Sequence, residues 1–442
     1  MHISLLGHAS LVVEAAGTTL FMDPVFGDPF QGGLVVSCPQ RMVDFPALPR
    51  PDVLVLSHGH LDHVHHPSLT RLPKTIPVYL PRDAALYTTL LGLGFRNLQP
   101  QAPWDTVNVG GIQCTFTPSA GPAVEMGVLW QHNGTSVWNQ VDTVITQQAC
   151  ARVAQLTGNA LDLAFCGFRP LLEYAGMWVE EDTFPHGRYH RMLEMALCTG
   201  ARVLVPGSSG LRAVDALDWV NHRLFPGTRQ GFVQDLGRLA PEQQTLMMDP
   251  GDQLVLEGRN PPAVRPSGYA HTLARDEDRV AFAPHSHPAP SMVDHNPRGF
   301  SEDTMRAVIT PLLEKTLNTV LGGALVPGLT GPLRTLWNRR AILQMEVFFP
   351  SGKKAWHIPA WSPKPTVVAG EHPEPDYTWR YLASDLHTLV QGQWVQPTVQ
   401  AVRRKHRVEG RLDTLEPGRL HGVDIYHVVD ETFEWNPLAL LV

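Results

Sequence analysis

Several features that would assign this sequence of 442 residues to a common functional class are scarce or absent. Its cysteines are odd in number and contain no C-x-x-C pair; they are Cys38, Cys114, Cys150, Cys166 and Cys198. This pattern argues against a disulfide framework and against a cysteine-based zinc or iron–sulfur site. No stretch approaches the roughly 18 apolar residues of a membrane span, so we expect no membrane-spanning segment.

Basic charge is also scarce, since 35 Lys and Arg residues face 42 Asp and Glu residues and the formal net charge is −7. The basic residues form no stripe of the kind that binds a phosphate backbone, which makes nucleic acid an unexpected partner. The N-terminal run lacks a basic segment, and His8 and Glu14 interrupt its apolar residues. We therefore interpret it as a strand rather than a signal peptide, and expect a cytoplasmic protein.

The length exceeds that of one typical domain, and 43% hydrophobic residues are enough to build more than one core. We predict an α/β domain over residues 1–260, an irregular Pro-, Ser- and His-rich connection over 261–300, and a smaller α+β domain over 301–442. In the first domain, apolar runs predict strands at 11–14, 19–22, 52–56 and 202–205, and the first two are predicted to form a hairpin around Gly17. Helical spacing predicts helices at 82–93, 190–198 and 213–224.

The last 140 residues or so show a different order of elements. Ser301 followed by Glu302 and Asp303 predicts a helix N-terminus. Two strand-like runs, 341–349 and 354–361, meet at Ser351 and Gly352, which predicts a hairpin. A strand over 376–381, a helix over 384–390 and a strand over 401–409 complete the predicted α+β domain.

The segment with the clearest chemistry is the loop that follows the predicted strand 52–56. It places His58, His60, Asp62 and His63 within six residues. Neutral imidazole and carboxylate are the donors that divalent metals prefer, so this spacing predicts a metal site at the carboxyl end of a buried strand. The alternative is a solvated histidine-rich loop, which the apolar strand before it and the placement of Asp62 disfavour.

The H-x-H-x-D-H motif, together with the run GHASLVVEAAGTTLFMDP at residues 7–24, resembles the metallo-β-lactamase superfamily. The similarity covers roughly residues 1–225 and is closest to the branch of ascorbate-6-phosphate lactonase, N-acyl-phosphatidylethanolamine phospholipase D and CMP-sialic acid hydroxylase. It implies a four-layer αββα fold and a dinuclear site with two divalent ions per chain. The fold hosts many reactions, so the resemblance does not give the substrate.

The resemblance also implies further ligands. Asp142, at the end of the predicted strand 136–141, matches the family's bridging aspartate. The stretch 116–130 has no histidine where the family has one, but it contains Glu125, and a similar exchange occurs in the diiron β-hydroxylase of chloramphenicol biosynthesis. Ser208 stands where the family's last histidine is expected; a water, or one of His186, His190 and His222, is an alternative ligand there.

His8 lies in the Gly-His-Ala-Ser turn, which in this branch is close to the metal pocket. It is a candidate to orient the substrate or to support a metal ligand, against the alternative of an ordinary turn histidine. Asp62 is assigned a catalytic role beside its role as a ligand. Glu173, Tyr174 and Trp178 are further candidates to line the pocket.

This ligand set leaves the metal and the reaction open. Histidine-rich sets suit zinc, whereas carboxylates shift the preference toward iron or manganese. The first hypothesis is a hydrolase in which two ions share and activate a water that attacks a small-molecule ester, lactone, amide or phosphodiester. The alternative is a non-haem diiron oxygenase, which requires an electron donor. A non-enzymatic protein with a decayed site is disfavoured, because the motif and Asp142 are intact.

The predicted C-terminal domain resembles the sterol-carrier-protein-like fold over residues 341–358 and 375–393. Alkylsulfatases carry a comparable domain. The resemblance implies an apolar groove or a surface for homodimerisation; the alternative is a domain that only packs.

Overall fold

The computed structural model describes residues 1–30, 35–121, 123–170, 184–224, 227–258, 260–287, 291–316, 318, 342–359, 366–391 and 399–403. They divide into two compact units, one with the described residues up to Ala283 and one with those from Pro284 onward. Glu173, Tyr174 and Trp178 lie outside the described residues. Among the helices that are described, none has the length and hydrophobicity needed to cross a membrane.

The first unit is rich in short strands. In chain order they are β1 (His2–Gly7), β2 (Ser10–Ala15), β3 (Thr18–Met22), β4 (Val35–Ser37), β5 (Gln40–Val43), β6 (Val53–Val55), β7 (Val78–Pro81), β8 (Leu98–Gln101), β9 (Thr106–Val109), β10 (Ile112–Pro118), β11 (Met126–His132), β12 (Thr135–Asn139), β13 (Leu163–Cys166), β14 (Val203–Pro206), β15 (Leu211–Ala213), β16 (Gln244–Thr245), β17 (Asp252–Val255), β18 (Ala263–Pro266) and β19 (Ala270–Ala274).

The helices of this unit lie between the strands. They are α1 (His66–Thr70), α2 (Ala84–Gly92), α3 (Gln147–Leu156), α4 (His186–Cys198), α5 (Asn221–Leu224) and α6 (Arg229–Leu239). Side chains cap several of them: the Asp83 carboxylate accepts the backbone N–H groups of Ala85 and Leu86 at the start of α2. Such caps satisfy N–H groups that have no partner within the helix.

Two sheets organise the unit. The order of the first is β18-β17-β1-β2-β3-β6-β7-β8, and the order of the second is β16-β14-β13-β12-β11-β10-β9. Strands β3, β6, β7 and β8 are parallel, as are β12, β13, β14 and β16. Parallel strands end at the same edge of a sheet, so the loops that leave β3, β6, β12 and β14 are brought toward a common region.

The buried side chains show how the layers pack. One apolar cluster contains residues from both sheets, including Val13, Val55, Phe116 and Trp130, and forms the core between them. A second cluster joins the first sheet to α1 and α2, and a third joins the second sheet to α3, α4 and α6. The result is the predicted four-layer αββα arrangement of the metallo-β-lactamase fold.

The predicted hairpin around Gly17 is confirmed by the pairing of β2 with β3, in which Ala15 lies opposite Thr18. Its two-residue turn has φ of +53° at Ala16 and +75° at Gly17. Positive φ at both positions matches the right-handed twist of the flanking strands, and glycine adopts it without steric strain.

Two predictions for this unit need correction. The segment 213–224 is not one helix: it consists of a 3₁₀ turn at Asp215–Val220 followed by the short α5. Asp215 has φ of +53°, and the Asn221 side chain bonds both backbone groups of Ala213, which replaces helical pairing.

The stretch after residue 260 is not irregular throughout, since it contains β18 and β19. All four residues of β18 are exposed, so they show no apolar alternation.

The second unit contains β20 (Ile342–Phe349), β21 (Gly352–Pro359), β22 (Val368–Ala369), β23 (Tyr377–Leu382) and β24 (Val399–Arg403), in the order β22-β21-β20-β23-β24. Helices α7 (Glu302–Pro311) and α8 (Ala383–Val390) accompany this sheet. The predicted N-cap is confirmed, because Ser301 Oγ accepts the Thr304 N–H. The predicted hairpin is also confirmed by the pairing of β20 with β21, whereas residues 404–409 of the last predicted strand lie outside the described residues.

Candidate metal centre

The residues of the histidine-rich loop converge with side chains from other strand ends. His58, Asp62 and His63 follow β6, His8 follows β1, and Asp142 follows β12. Two groups of donor atoms, each within 4.8 Å of one another, result: one is His8, Asp62 and His63, and the other is His58, His63 and Asp142. The two groups share His63, so they form one continuous cluster.

His63 lies at the centre of this cluster and is 0% exposed. Its Nε2 is 3.1 Å from Asp142 Oδ2, 3.6 Å from Asp62 Oδ2 and 3.2 Å from His8 Nε2. His8 Nε2 in turn lies 3.2 Å from Asp62 Oδ2. The donor atoms of His8, Asp62 and His63 therefore face one another in a buried space, and Asp142 Oδ2 approaches this group at His63 Nε2.

The first part of the motif forms a second, more open arrangement. His58 Nε2 lies 2.9 Å from His60 Nδ1 and 4.0 Å from Asp142 Oδ2. His58 is buried and His60 is exposed, so this side of the cluster is the one open to solvent. Asp142 contacts both arrangements, as expected for a carboxylate that serves two metal positions.

Asp23 and Ser57 contact His63 at Nδ1, the ring nitrogen that faces away from the cluster. Neither residue is among those predicted from the sequence. Asp23 is 0% exposed; its Oδ1 accepts the Ser57 N–H at 2.8 Å, and its Oδ2 accepts the Ser57 hydroxyl at 2.6 Å. The same Oδ2 lies 2.8 Å from His63 Nδ1. A carboxylate on one ring nitrogen fixes the tautomer and leaves the other nitrogen free to bind a metal. The only signal in the sequence is the Asp-Pro pair that follows β3.

Glu125 lies beside the cluster but outside both donor groups. It precedes β11, and the next residue, Met126, donates its N–H to the Ser57 carbonyl at 3.1 Å. The Glu125 carboxylate accepts the Ser119 hydroxyl at 2.5 Å. Burial raises its pKa to about 7, and the Asp142 carboxylate contributes to the increase.

The segment after β14 supplies no further histidine to the cluster. The Ser208 hydroxyl donates to the Val141 carbonyl at 3.0 Å. His190 lies on α4 with 60% of its side chain exposed and pairs with Glu194. His222 Nδ1 is 2.8 Å from the Ala281 carbonyl, and His186 packs on Phe184. None of the three belongs to the donor groups found among the described residues.

The electrostatics of the cluster favour positive charge at its centre. Burial alone would lower the pKa of His63, but Asp62, Asp142 and Asp23 outweigh it and raise this pKa well above its usual range. Burial would likewise raise the pKa of Asp62 and Asp142, yet His63 and the neighbouring imidazoles hold both pKa values well below the usual range. Clustered carboxylates of this kind bind cations.

Comparison with known proteins supports the same interpretation of the fold. Residues 2–144 match the family model for the Beta-lactamase superfamily domain. This segment is therefore similar to the β-lactamase superfamily domain. The match ends just after Asp142, so it contains His8, the whole H-x-H-x-D-H loop and Glu125. A search of curated proteins found no match.

Solved structures similar to this segment and to residues that follow it include three proteins with different activities. An isothiocyanate hydrolase from Delia radicum gut bacteria is 18% identical, with 58% of this chain and 99% of that chain covered and a TM-score of 0.40. CmlA, a diiron β-hydroxylase from Streptomyces venezuelae, is 20% identical, with coverages of 47% and 45% and a TM-score of 0.37. Igni18, a metallo hydrolase from Ignicoccus hospitalis, is 15% identical, with coverages of 58% and 98% and a TM-score of 0.39.

Proposed function

We propose that the protein is a dinuclear metal-dependent hydrolase that acts on a small-molecule ester, lactone, amide or phosphodiester. The observation that carries this proposal is the buried cluster in which two groups of donor atoms share His63 and lie beside Asp142. His60 is exposed and lies 2.9 Å from His58, a member of the second group. A substrate would therefore reach the site from the side of His60.

The donor atoms of the cluster fit divalent ions. Asp142 Oδ1 is buried and has no hydrogen-bond partner among the described residues, a costly state that a bound cation would relieve. We assign His58, His60, Glu125 and Asp142 to the first ion, and Asp62, His63 and Asp142 to the second. When bound, the two ions would supply Lewis acidity, which lowers the pKa of a water and polarises the bond to be cleaved.

The chain's own residues would do the remaining work. Asp23 and Ser57 keep the imidazole of His63 in the tautomer that directs Nε2 into the cluster. Asp62 Oδ2 lies between the imidazoles of His8 and His63, at 3.2 Å and 3.6 Å, and we assign the other oxygen of this carboxylate to accept a proton from the attacking water. Burial of these groups strengthens each of their electrostatic interactions.

A diiron oxygenase on the same residues is the second candidate. Glu125 favours it, because this half-buried carboxylate, whose pKa the Asp142 charge helps to raise, would add a third carboxylate to the ligands. Carboxylate-rich sets suit iron better than zinc. This reaction would also require O₂ and an external electron donor.

Metal content separates the two candidates. The protein would be expressed with iron and zinc both supplied, and its metals measured per chain. About two zinc ions, with turnover of a panel of esters, lactones, amides and phosphodiesters, would support the hydrolase. About two iron ions, with O₂ consumption when a chemical reductant is added, would support the oxygenase. A protein that binds neither metal would overturn both.

A double variant tests the assignment of the ligands. His60→Ala with Asp142→Ala should abolish stoichiometric metal binding, because the first ion loses two of its four assigned ligands and the second ion loses the carboxylate that we assign to both. The matched control is His190→Ala with Asp52→Ala, which removes the same two residue types from exposed positions of the same unit. Stoichiometric metal in the first double variant would contradict the assignment.

For the second unit we propose a packing domain of sterol-carrier-protein-like type. Its β20 and β23 pair in parallel, and its described residues include an apolar core with Met345, Trp356 and Trp379. A lipid analogue that binds the intact chain in a titration would replace this proposal with that of an apolar groove.

A further inference from the structure

His8 occupies an unusual position for an ordinary turn histidine. It lies between β1 and β2, is 6% exposed, and has φ of +49°, in the left-handed region that non-glycine residues rarely adopt. Such strain persists where surrounding structure holds the residue in place, and it is common at functional sites. Here it directs the imidazole toward Asp62 and His63.

Hydrogen bonding alone does not account for the contacts of this imidazole. His8 Nε2 is 3.2 Å from Asp62 Oδ2, which one hydrogen bond would explain, but it is also 3.2 Å from His63 Nε2. His63 Nε2 approaches Asp142 Oδ2 and Asp62 Oδ2 as well. Each of the two Nε2 atoms carries at most one proton, so these contacts cannot all be hydrogen bonds. A single cation bound between the atoms accounts for them.

The spacing of the His8, Asp62 and His63 donor atoms matches one face of a tetrahedral site. Donors bound about 2.1 Å from a tetrahedral ion are about 3.4 Å from one another. The measured separations are 3.2 Å for His8 with Asp62, 3.2 Å for His8 with His63 and 3.6 Å for Asp62 with His63. All three differ from the tetrahedral value by about 0.2 Å.

We propose that His8 Nε2 is a ligand of the second metal ion, beside the Asp62 and His63 donors with which it forms one group. The inference rests on the proposed dinuclear site and completes it. Ser208 offers only a neutral hydroxyl, whose proton is donated to the Val141 carbonyl.

The segment that carries Ser208 has instead a role in holding His8. A Cβ atom added to Gly210 would lie 3.2 Å from the Cα atom of His8, so the two backbones are in close contact. The Phe30 ring stacks on the imidazole, with centroids 6.4 Å apart. The Nδ1 atom has no hydrogen-bond partner among the described residues. Backbone contact and ring packing therefore set the orientation of the imidazole.

The variant that tests the proposal is His8→Gly, because glycine tolerates the positive φ and leaves a space for added imidazole. Wild type, His8→Gly and the control His190→Ala would be stripped of metal and titrated with Zn²⁺. Stoichiometry and Kd would be measured by calorimetry, and Co²⁺ absorption would report four-coordinate binding. Circular dichroism would check that each variant is folded.

We expect two ions in the wild type and in His190→Ala. In His8→Gly one ion should remain, with the second bound at least about 100-fold more weakly, since even loss of a group that only supports a ligand costs about 10–100-fold in affinity. Added imidazole should restore the second ion and the four-coordinate Co²⁺ spectrum. Two ions with unchanged Kd in His8→Gly would overturn the proposal, as would a loss that imidazole does not restore. A wild type without metal would instead overturn the proposed function.

Discussion

Asp23→Asn is the substitution whose effect the structure defines most closely. The wild-type carboxylate accepts the Ser57 N–H at 2.8 Å and lies 2.8 Å from His63 Nδ1. An amide has one acceptor oxygen, so its NH₂ group must face either Ser57 or His63. If the NH₂ group faces His63, it donates a hydrogen bond to Nδ1. Nδ1 is then unprotonated, and the imidazole carries its proton on Nε2. That proton blocks the atom that points at Asp62 and Asp142.

Two magnitudes follow. Loss of a buried hydrogen bond to a charged group should lower the free energy of unfolding by about 1.5–3 kcal/mol. The affinity for the second metal should fall by a factor of about 10–100, the range for groups that orient a metal-bound histidine, which corresponds to about 1.4–2.7 kcal/mol. The first ion, which His63 does not bind in our assignment, should be little affected.

The assay is a Zn²⁺ titration of metal-free protein, with a thermal melt of the same samples. Asp52→Asn is the matched control: it is the same exchange at an exposed aspartate, whose carboxylate accepts the Thr19 N–H at 2.9 Å. If Asp23→Asn and Asp52→Asn both bind two ions with wild-type Kd, Asp23 does not control the His63 tautomer.

Two further predictions concern neighbours of the site. Glu125→Ala should weaken the first ion and leave the second nearly unchanged; unchanged occupancy of both would remove Glu125 from the ligands. Gly127→Ala should destabilise the first unit by about 1–3 kcal/mol in a denaturant or thermal melt. Its Cβ would lie 2.7 Å from both the Asn139 carbonyl oxygen and Thr117 Oγ1, contacts that backbone pairing prevents from relaxing. A Gly127→Ala variant with wild-type stability would show that β11 and β12 can separate without loss.

Patterns confined to one segment were predictable from the sequence. The apolar run before His58 fixes β6, and the clustering of donors after it predicts a metal site without knowledge of any other residue. The turn at Gly17 and the cap at Ser301 are likewise local, because the residues that make them are adjacent in the chain. For the same reason the strand β6, the turn and the cap agree with the structure, whereas the metal site stays a prediction.

Features that depend on distant contacts were not predictable. Nothing near Asp23 indicates that its carboxylate faces His63, 40 residues further along. The position of His8, 55 residues from His63, also becomes clear only when β1 and β6 lie in one sheet. The strand β18 escaped detection because each of its residues is exposed, and periodicity reports burial rather than backbone pairing.

The donors of the cluster are spread over the first third of the chain, from His8 to Asp142, and belong to strands of two different sheets. In an unfolded chain only the short His58–His63 segment would keep its donors together. Ions that bind the assembled cluster more tightly than the unfolded chain must therefore shift the folding equilibrium toward the folded state. At a free ion concentration about 100-fold above the Kd, they stabilise the folded state by about 2.7 kcal/mol. A chelator would act on this protein as a denaturant, and the resistance of the first unit to heat would report how much metal its surroundings provide.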